Sequence, residues 1–127
     1  MTLLENLNTQ DRFAASIGAQ LTEIREGYAK AELTVTERHL NGANVCQGGV
    51  MYTLADLAFA AAVNSHDVFT VSTSSNITFF RPVTSGYLYA EAVEIVNHHR
   101  LPFAEVRVTD DEGQLIALFT SSGHRKN

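Results

Sequence analysis

Apolar residues along this 127-residue chain keep two different rhythms. Near the start, Leu3, Leu4, Leu7, Phe13 and Ala14 recur at roughly helical spacing. This predicts a short amphipathic helix within the first sixteen residues, broken at Asn8 or Thr9. The period then becomes two: Ala29, Ala31, Leu33 and Val35 alternate with Lys30, Glu32, Thr34 and Thr36, the signature of a strand with one wet face. Glu26-Gly27 marks a turn out of an earlier strand near 18–25. Further strands are predicted at 68–80, 86–97, 102–109 and 114–122, the last two joined by a hairpin turn at Asp110, Asp111, Glu112 and Gly113.

Between these strands lies NVCQGGVMYTLADLAFAAAVNS, residues 44–65. From Val50 to Val63 it is rich in helix formers and too long for a typical strand, so it reads as a helix. Being apolar nearly all round, it should be buried all round. The expected architecture is α+β: a largely antiparallel sheet of five to six strands wrapped around one long helix, in a single domain spanning 1–127.

Composition narrows the class. Nine Lys plus Arg against fourteen Asp plus Glu leave a net charge of -5, which provides no broad basic field for nucleic acid. The N-terminus lacks a basic-then-apolar leader, and the stretch 50–63 is shorter than the ~20 residues of a spanning helix. The expectation is a cytoplasmic protein with no membrane partner. Cys46 is the only cysteine, which rules out an internal disulfide and a cysteine-based zinc set, and the five scattered His suggest no metal site.

The chemistry concentrates on the helix. Asp56 is its one ionisable residue, and a carboxylate there must be bonded, paired or facing a cavity. Gly48-Gly49 stands at the helix start, where free backbone N–H groups and the positive dipole end could meet an oxygen bearing developing charge. Either glycine could equally serve only a tight entry into the helix. Eight residues of helix separate Gly48 from Asp56 by about 12 Å, too far to serve one carbonyl. If both act, they come from different subunits of a two-fold homodimer. Ser72, Ser74 and Asn76 share one strand face by period-two arithmetic. Cys46 with His39 or His66 is a rival nucleophile, although a small packed Cys fits as well. Arg81, the His98-His99-Arg100 cluster and the His124-Arg125-Lys126 tail could meet phosphates, or be solvated loops and ends.

HLNGANVCQGGVMYTLADLAFAAAVNS, residues 39–65, resembles the signature of hotdog-fold acyl-CoA thioesterases of the phenylacetate-pathway (PaaI-like) branch: H-x-N, a short loop, H-G-G, then a helix carrying L-x-D. VSTSSNITFFRPVTSG, residues 71–86, resembles the strand and turn that follow there. The resemblance implies that Asp56 is general base or nucleophile towards a thioester, that Gly48 N–H polarises its carbonyl with Asn41 in support, and that Ser72 orients the attacking water. Gln47 stands where the branch usually carries His, and cannot titrate near neutral pH. Gln47, Gly49, Ser74, Asn76 and Arg81 are the implied substrate-binding residues. The acyl pocket would draw on Tyr52, Phe59, Phe79 and Phe80. No cofactor is implied beyond the coenzyme A of the substrate, and the assembly implied is a homodimer or a dimer of dimers. A hydratase or dehydratase acting on acyl thioesters, and a non-catalytic acyl-CoA-binding dimer, are the alternatives.

Overall fold

The structure, a computed structural model, describes residues 1–126. Two short helices open the chain, α1 (Leu3–Gln10) and α2 (Arg12–Ser16). Thr2 and Glu5 cap α1 reciprocally, and Asp11 accepts from Ala14 N–H at 3.1 Å to start α2. The break therefore falls at Asp11, not at Asn8 or Thr9. Asn8 is engaged in tertiary contact, donating to Leu21 O and accepting from Leu21 N–H, while Thr9 back-bonds to Glu5 O within its helix.

Six strands follow: β1 (Gln20–Arg25), β2 (Tyr28–Val35), β3 (Thr70–Phe79), β4 (Gly86–Val96), β5 (Phe103–Thr109) and β6 (Leu115–Arg125). They form one sheet in the order β1-β2-β4-β5-β6-β3, every neighbouring pair antiparallel. α3 (Gly48–Asn64) lies across its concave face. This is the hotdog arrangement that the resemblance implies. The inner face of the sheet is alanine-rich, with Ala29, Ala31, Ala90, Ala92 and Ala104 fully buried, so the helix approaches closely. Leu54, Leu57 and Phe59 are sunk into that face, each contributing about 1.5–3 kcal/mol of burial.

α3 is not buried all round. Gly49 and Tyr52 are exposed, and Thr53, Asp56, Ala60 and Asn64 are half-buried, tracing one stripe at helical spacing down the helix. β3 is equally uncovered. It pairs with β6 on one side only, and most of its residues from Val71 to Phe79 are exposed.

A bulge between Ser72 and Ser74 breaks the alternation of β3. Ser72 pairs with Gly123 on the helix-facing side, whereas Ser74 and Asn76 pair with Ser122 and Thr120 on the outer side. The three polar residues do not share a face. Ser75 is the helix-facing one, its hydroxyl 2.8 Å from that of fully buried Ser121.

β6 runs three residues beyond its expected end, for a reason at its last residue. Arg125 is buried, with Nη2 donating to Glu94 Oε2 at 2.8 Å and to Val63 O at 3.3 Å, so it ties the sheet to the C-terminus of α3. It is neither a solvated end nor a free cation. No described helix is long and apolar enough to cross a membrane.

Candidate active site

The site grows from the loop that delivers the chain into α3. The Asn41 side-chain oxygen accepts from Ala43 N–H at 2.8 Å and Val45 N–H at 3.3 Å, and Leu40 bridges to Cys46. Cys46 N–H then donates to Val83 O at 2.7 Å and Gln47 N–H to His39 O at 2.8 Å. Held at these points, the chain enters α3 with Gln47 as N-cap. Asn41 is thus a loop organiser, turned inward on its own backbone.

Gly48 N–H, the donor expected to face a substrate, donates to the side-chain oxygen of Gln47 at 3.2 Å. Gln47 is exposed, so this cap can swing aside. The ring of Phe79 lies over Gly48: a Cβ there would come within 2.8 Å of Phe79 Cζ, which is why no side chain fits without moving the ring. A cleft of about 450 Å³ opens beside this point, lined by Gln47, Gly48, Met51, Phe79, Phe80 and Arg81 among others. A second, almost wholly apolar cleft of about 360 Å³ runs between α2 and α3, with Phe13, Gln47, Gly49 and Tyr52 in its walls. Gln47 borders both. A larger cleft of about 600 Å³, between Ala15–Gly18 and Thr34–His39, holds none of the expected catalytic residues.

Asp56 lies two helical turns further on, in the exposed stripe of α3. No hydrogen bond or ion pair to another described residue engages its carboxyl. Burial pushes that carboxyl above the ordinary carboxylate value, and the charge of Asp11 at the start of α2 pushes the same way. A half-buried, unpartnered acid on an otherwise sunken helix is poised to take a proton.

The structure therefore brings Gln47, Gly48, Gly49 and Arg81 around the helix start and leaves Asp56 apart from them. Ser72 faces the helix near its C-terminal end, since neighbouring Thr70 N–H donates to the Asn64 side chain at 2.8 Å. Ser74 and Asn76 point to the outer face, away from both clefts. Phe59 is a core residue, 1% exposed and packed on Phe119, not a pocket wall. Sequence reasoning missed Asp11; its only signal was a helix-capping residue between two apolar clusters.

The rival chemistries lose their groups. Burial pushes the Cys46 thiol up to about 11, so no thiolate forms near neutral pH. His39 is buried with both nitrogens engaged, Nδ1 accepting from Thr36 N–H at 3.0 Å and Nε2 donating to Ile17 O at 2.8 Å. His66 pairs with Glu94 at 2.7 Å, beyond the far end of α3. Neither His is placed to move a proton beside Asp56.

Comparison with known proteins shows the family. Residues 43–117 match the family described as the thioesterase superfamily. A protein of Archaeoglobus fulgidus that carries a provisional esterase name is 38% identical over 118 residues, covering 92% of this chain and 77% of the relative. The acyl-coenzyme A thioesterase PaaI of Escherichia coli K12 is 30% identical over 116 residues, covering 91% and 83%. A mutant of the phenylacetic acid degradation protein PaaI from Thermus thermophilus superposes with a TM-score of 0.87 at 32% identity, covering 91% of this chain and 100% of that one.

Proposed function

This chain belongs to the thioesterase superfamily, and on that premise we propose that it hydrolyses acyl-CoA thioesters to a free acid and coenzyme A. The observation that carries the reading is Asp56: half-buried, without a partner, on the one uncovered stripe of a sunken helix, its carboxyl raised above its ordinary value by burial. A thioester is already activated, so the protein has to place water, hold a base and stabilise an oxyanion. Asp56 takes the proton of the attacking water. The oxygen of that water bonds to the carbonyl carbon, the C–S bond breaks, and the proton passes to the departing thiolate. Gly48 N–H, released from Gln47, receives the oxyanion.

One chain cannot do this alone, because eight helical residues hold Gly48 about 12 Å from Asp56. We therefore place the reaction at a two-fold contact between two copies. The uncovered stripe of α3 and the unpaired edge of β3 lie on the same side of the chain, since α3 starts beside Phe79 and ends beside Thr70, antiparallel to β3. Pairing that side with itself sets Gly48 of one copy beside Asp56 of the other, giving two equal sites.

The test is thiol release from short, long and aromatic acyl-CoAs. Asp56→Asn is expected to lose turnover by about 10² or more while staying folded. Mixing Asp56→Asn with Gly48→Pro chains should restore about a quarter of the wild-type rate through random pairing, since each heterodimer regains one intact site. Undiminished hydrolysis by Asp56→Asn would remove Asp56 from the mechanism, and no rescue on mixing would remove the shared site. If wild type binds acyl-CoA but turns over none, the reading as a non-catalytic binding protein takes its place.

A further inference from the structure

The bulge at Thr73 turns Ser75 onto the inner face of β3, opposite Ser121 of β6. Ser121 is fully buried, so its hydroxyl must find its partners within the protein. It has two, with Ser122 O at 3.0 Å and Ser75 Oγ at 2.8 Å. A carbonyl only accepts and a hydroxyl has one hydrogen, so Ser121 donates to Ser122 O and Ser75 donates to Ser121. The hydrogen of Ser75 is thereby committed to the sheet. Its remaining lone pairs make it an acceptor alone.

Helix packing sets where that acceptor stands. Tyr52, Asp56 and Phe59 lie on one side of α3, at spacings of four and three residues. Tyr52 meets the Phe119 ring edge-on at 5.3 Å between centroids. Phe59 packs on the same ring at 6.2 Å and reaches Gly123, where a Cβ would lie 3.5 Å from Phe59 Cζ. The residue between Phe119 and Gly123 on that face of β6 is Ser121. Asp56, between Tyr52 and Phe59, thus comes level with Ser121 and, one strand further out, with Ser75. The ends of the helix give the same level. Gly48 lies under the Phe79 ring, while Val63 O and the Asn64 side chain meet Thr70, so Asp56, midway along α3, matches Ser75 near the middle of β3. Ser72 pairs with Gly123, further towards the end of α3. The other polar side chains of the stripe are engaged, Thr53 donating to Gly49 O and Asn64 to Ala60 O and Thr70 O.

We propose that Ser75 is a positioning residue for the attacking water, which is held between its Oγ and the Asp56 carboxylate. This rests on the reading of Asp56 as the base. Water has two hydrogens, and an acceptor on either side takes one each. The hydrogen on Asp56 is the one that transfers; the one on Ser75 stays with the oxygen as it bonds to the carbonyl carbon. With both held, the lone pair of the water is left to aim at that carbon. A serine free to donate would compete for the same lone pair. Ser121 removes that option by taking the hydrogen of Ser75.

The experiment measures kcat and KM for one acyl-CoA in wild type, Ser75→Thr, Ser75→Val, Ser72→Ala and Asp56→Asn, and in Asp56→Asn combined with Ser75→Val. Thr and Val have the same shape on a half-buried strand position, so any effect on folding strikes both and only the hydroxyl differs. Ser75→Thr is expected to stay within about threefold of the wild-type kcat, and Ser75→Val to fall about tenfold or more below it, with KM within about twofold in both. In the Asp56→Asn background, Ser75→Val should lower the residual rate by less than about twofold, because a water without its base gains little from being aimed. Ser72→Ala is expected to keep kcat within about threefold. Equal kcat in Ser75→Thr and Ser75→Val overturns the proposal and leaves Asp56 standing. So does the same tenfold loss repeated without Asp56, which marks a structural effect, or a tenfold loss in Ser72→Ala with Ser75→Val unchanged. If Asp56→Asn hydrolyses at the wild-type rate, or wild type hydrolyses no acyl-CoA, the reading of the base fails and the proposal falls with it.

Discussion

Asp56 is half-buried without a partner, and holding a charge there has a price in stability that can be read by titration. Its carboxyl is raised in the folded chain, so the folded state binds the proton more tightly than the unfolded one. The stability linked to that proton is fully present below the unfolded value of about 3.9 and is lost as pH rises through the folded value. Asp56→Asn should therefore melt a few degrees above wild type at pH 7, with the gap closing as the pH falls towards 4, as thermal melts at both pH values would show. Under the proposed mechanism the same shift should move the acid limb of kcat upwards, as a pH profile of kcat would show. Gly48→Pro tests the other partner. The backbone of Gln47 (φ -59°, ψ 135°) already suits a residue before proline, and proline is favoured at a first helical position, so the helix start survives while the N–H disappears. The exposed Phe79 ring must step aside for the new side chain. The expected loss in kcat is about 10²–10³, measured with melting temperature as the control. Asp56 was legible in the sequence because a lone acid in an apolar helix stands out. Asp11 was not, since its effect on Asp56 depends on how α2 packs beside α3, and the cap of Gln47 on Gly48 was not, since it depends on a side-chain rotamer that no residue pattern marks.

At the scale of elements, strands and helix were readable wherever alternation was clean. β2 and β5 bury Ala31, Leu33, Ala104, Val106 and Val108 as expected, because each has one wet face. The reading failed at β3 for a physical reason. An extra residue at Thr73 shifts the parity, and no composition cue marks a bulge among serines and threonines. It failed also at Arg125, whose burial rests on Glu94, a residue 31 positions earlier. His39 illustrates the reverse case, a residue of the motif whose geometry assigns it a structural task. It joins the 3-10 turn at Glu37–His39 to the end of α2 through Ile17 O, and so positions the loop feeding α3. His39→Ala leaves Ile17 O and Thr36 N–H without these partners. A loss of about 2 kcal/mol is expected in urea unfolding, together with weaker catalysis from a loosened helix start.

For the whole molecule, strand order is what the sequence could not disclose. β3 is third in the chain yet lies at the far edge beside β6, so its second edge is open for all of its ten residues. Under the proposed two-fold contact, a charge in the uncovered stripe of α3 should separate the copies. Ala60→Arg is expected to sediment as a monomer and to lose hydrolysis even though Gly48 and Asp56 are both intact. The tether between Gln47 and Gly48 carries a consequence of its own for how such a pair of copies would choose what to stabilise. A carbonyl fixed to the adjacent residue faces that N–H at a local concentration no dissolved ester can match. An uncharged ester oxygen replaces it with one of similar strength and gains little, whereas an oxygen with a full negative charge outcompetes it decisively. Under the proposed mechanism, an incumbent of this kind would weaken the grip on the resting molecule far more than on the fleeting charged one, so the glutamine would work as a filter in time as well as a cap in space.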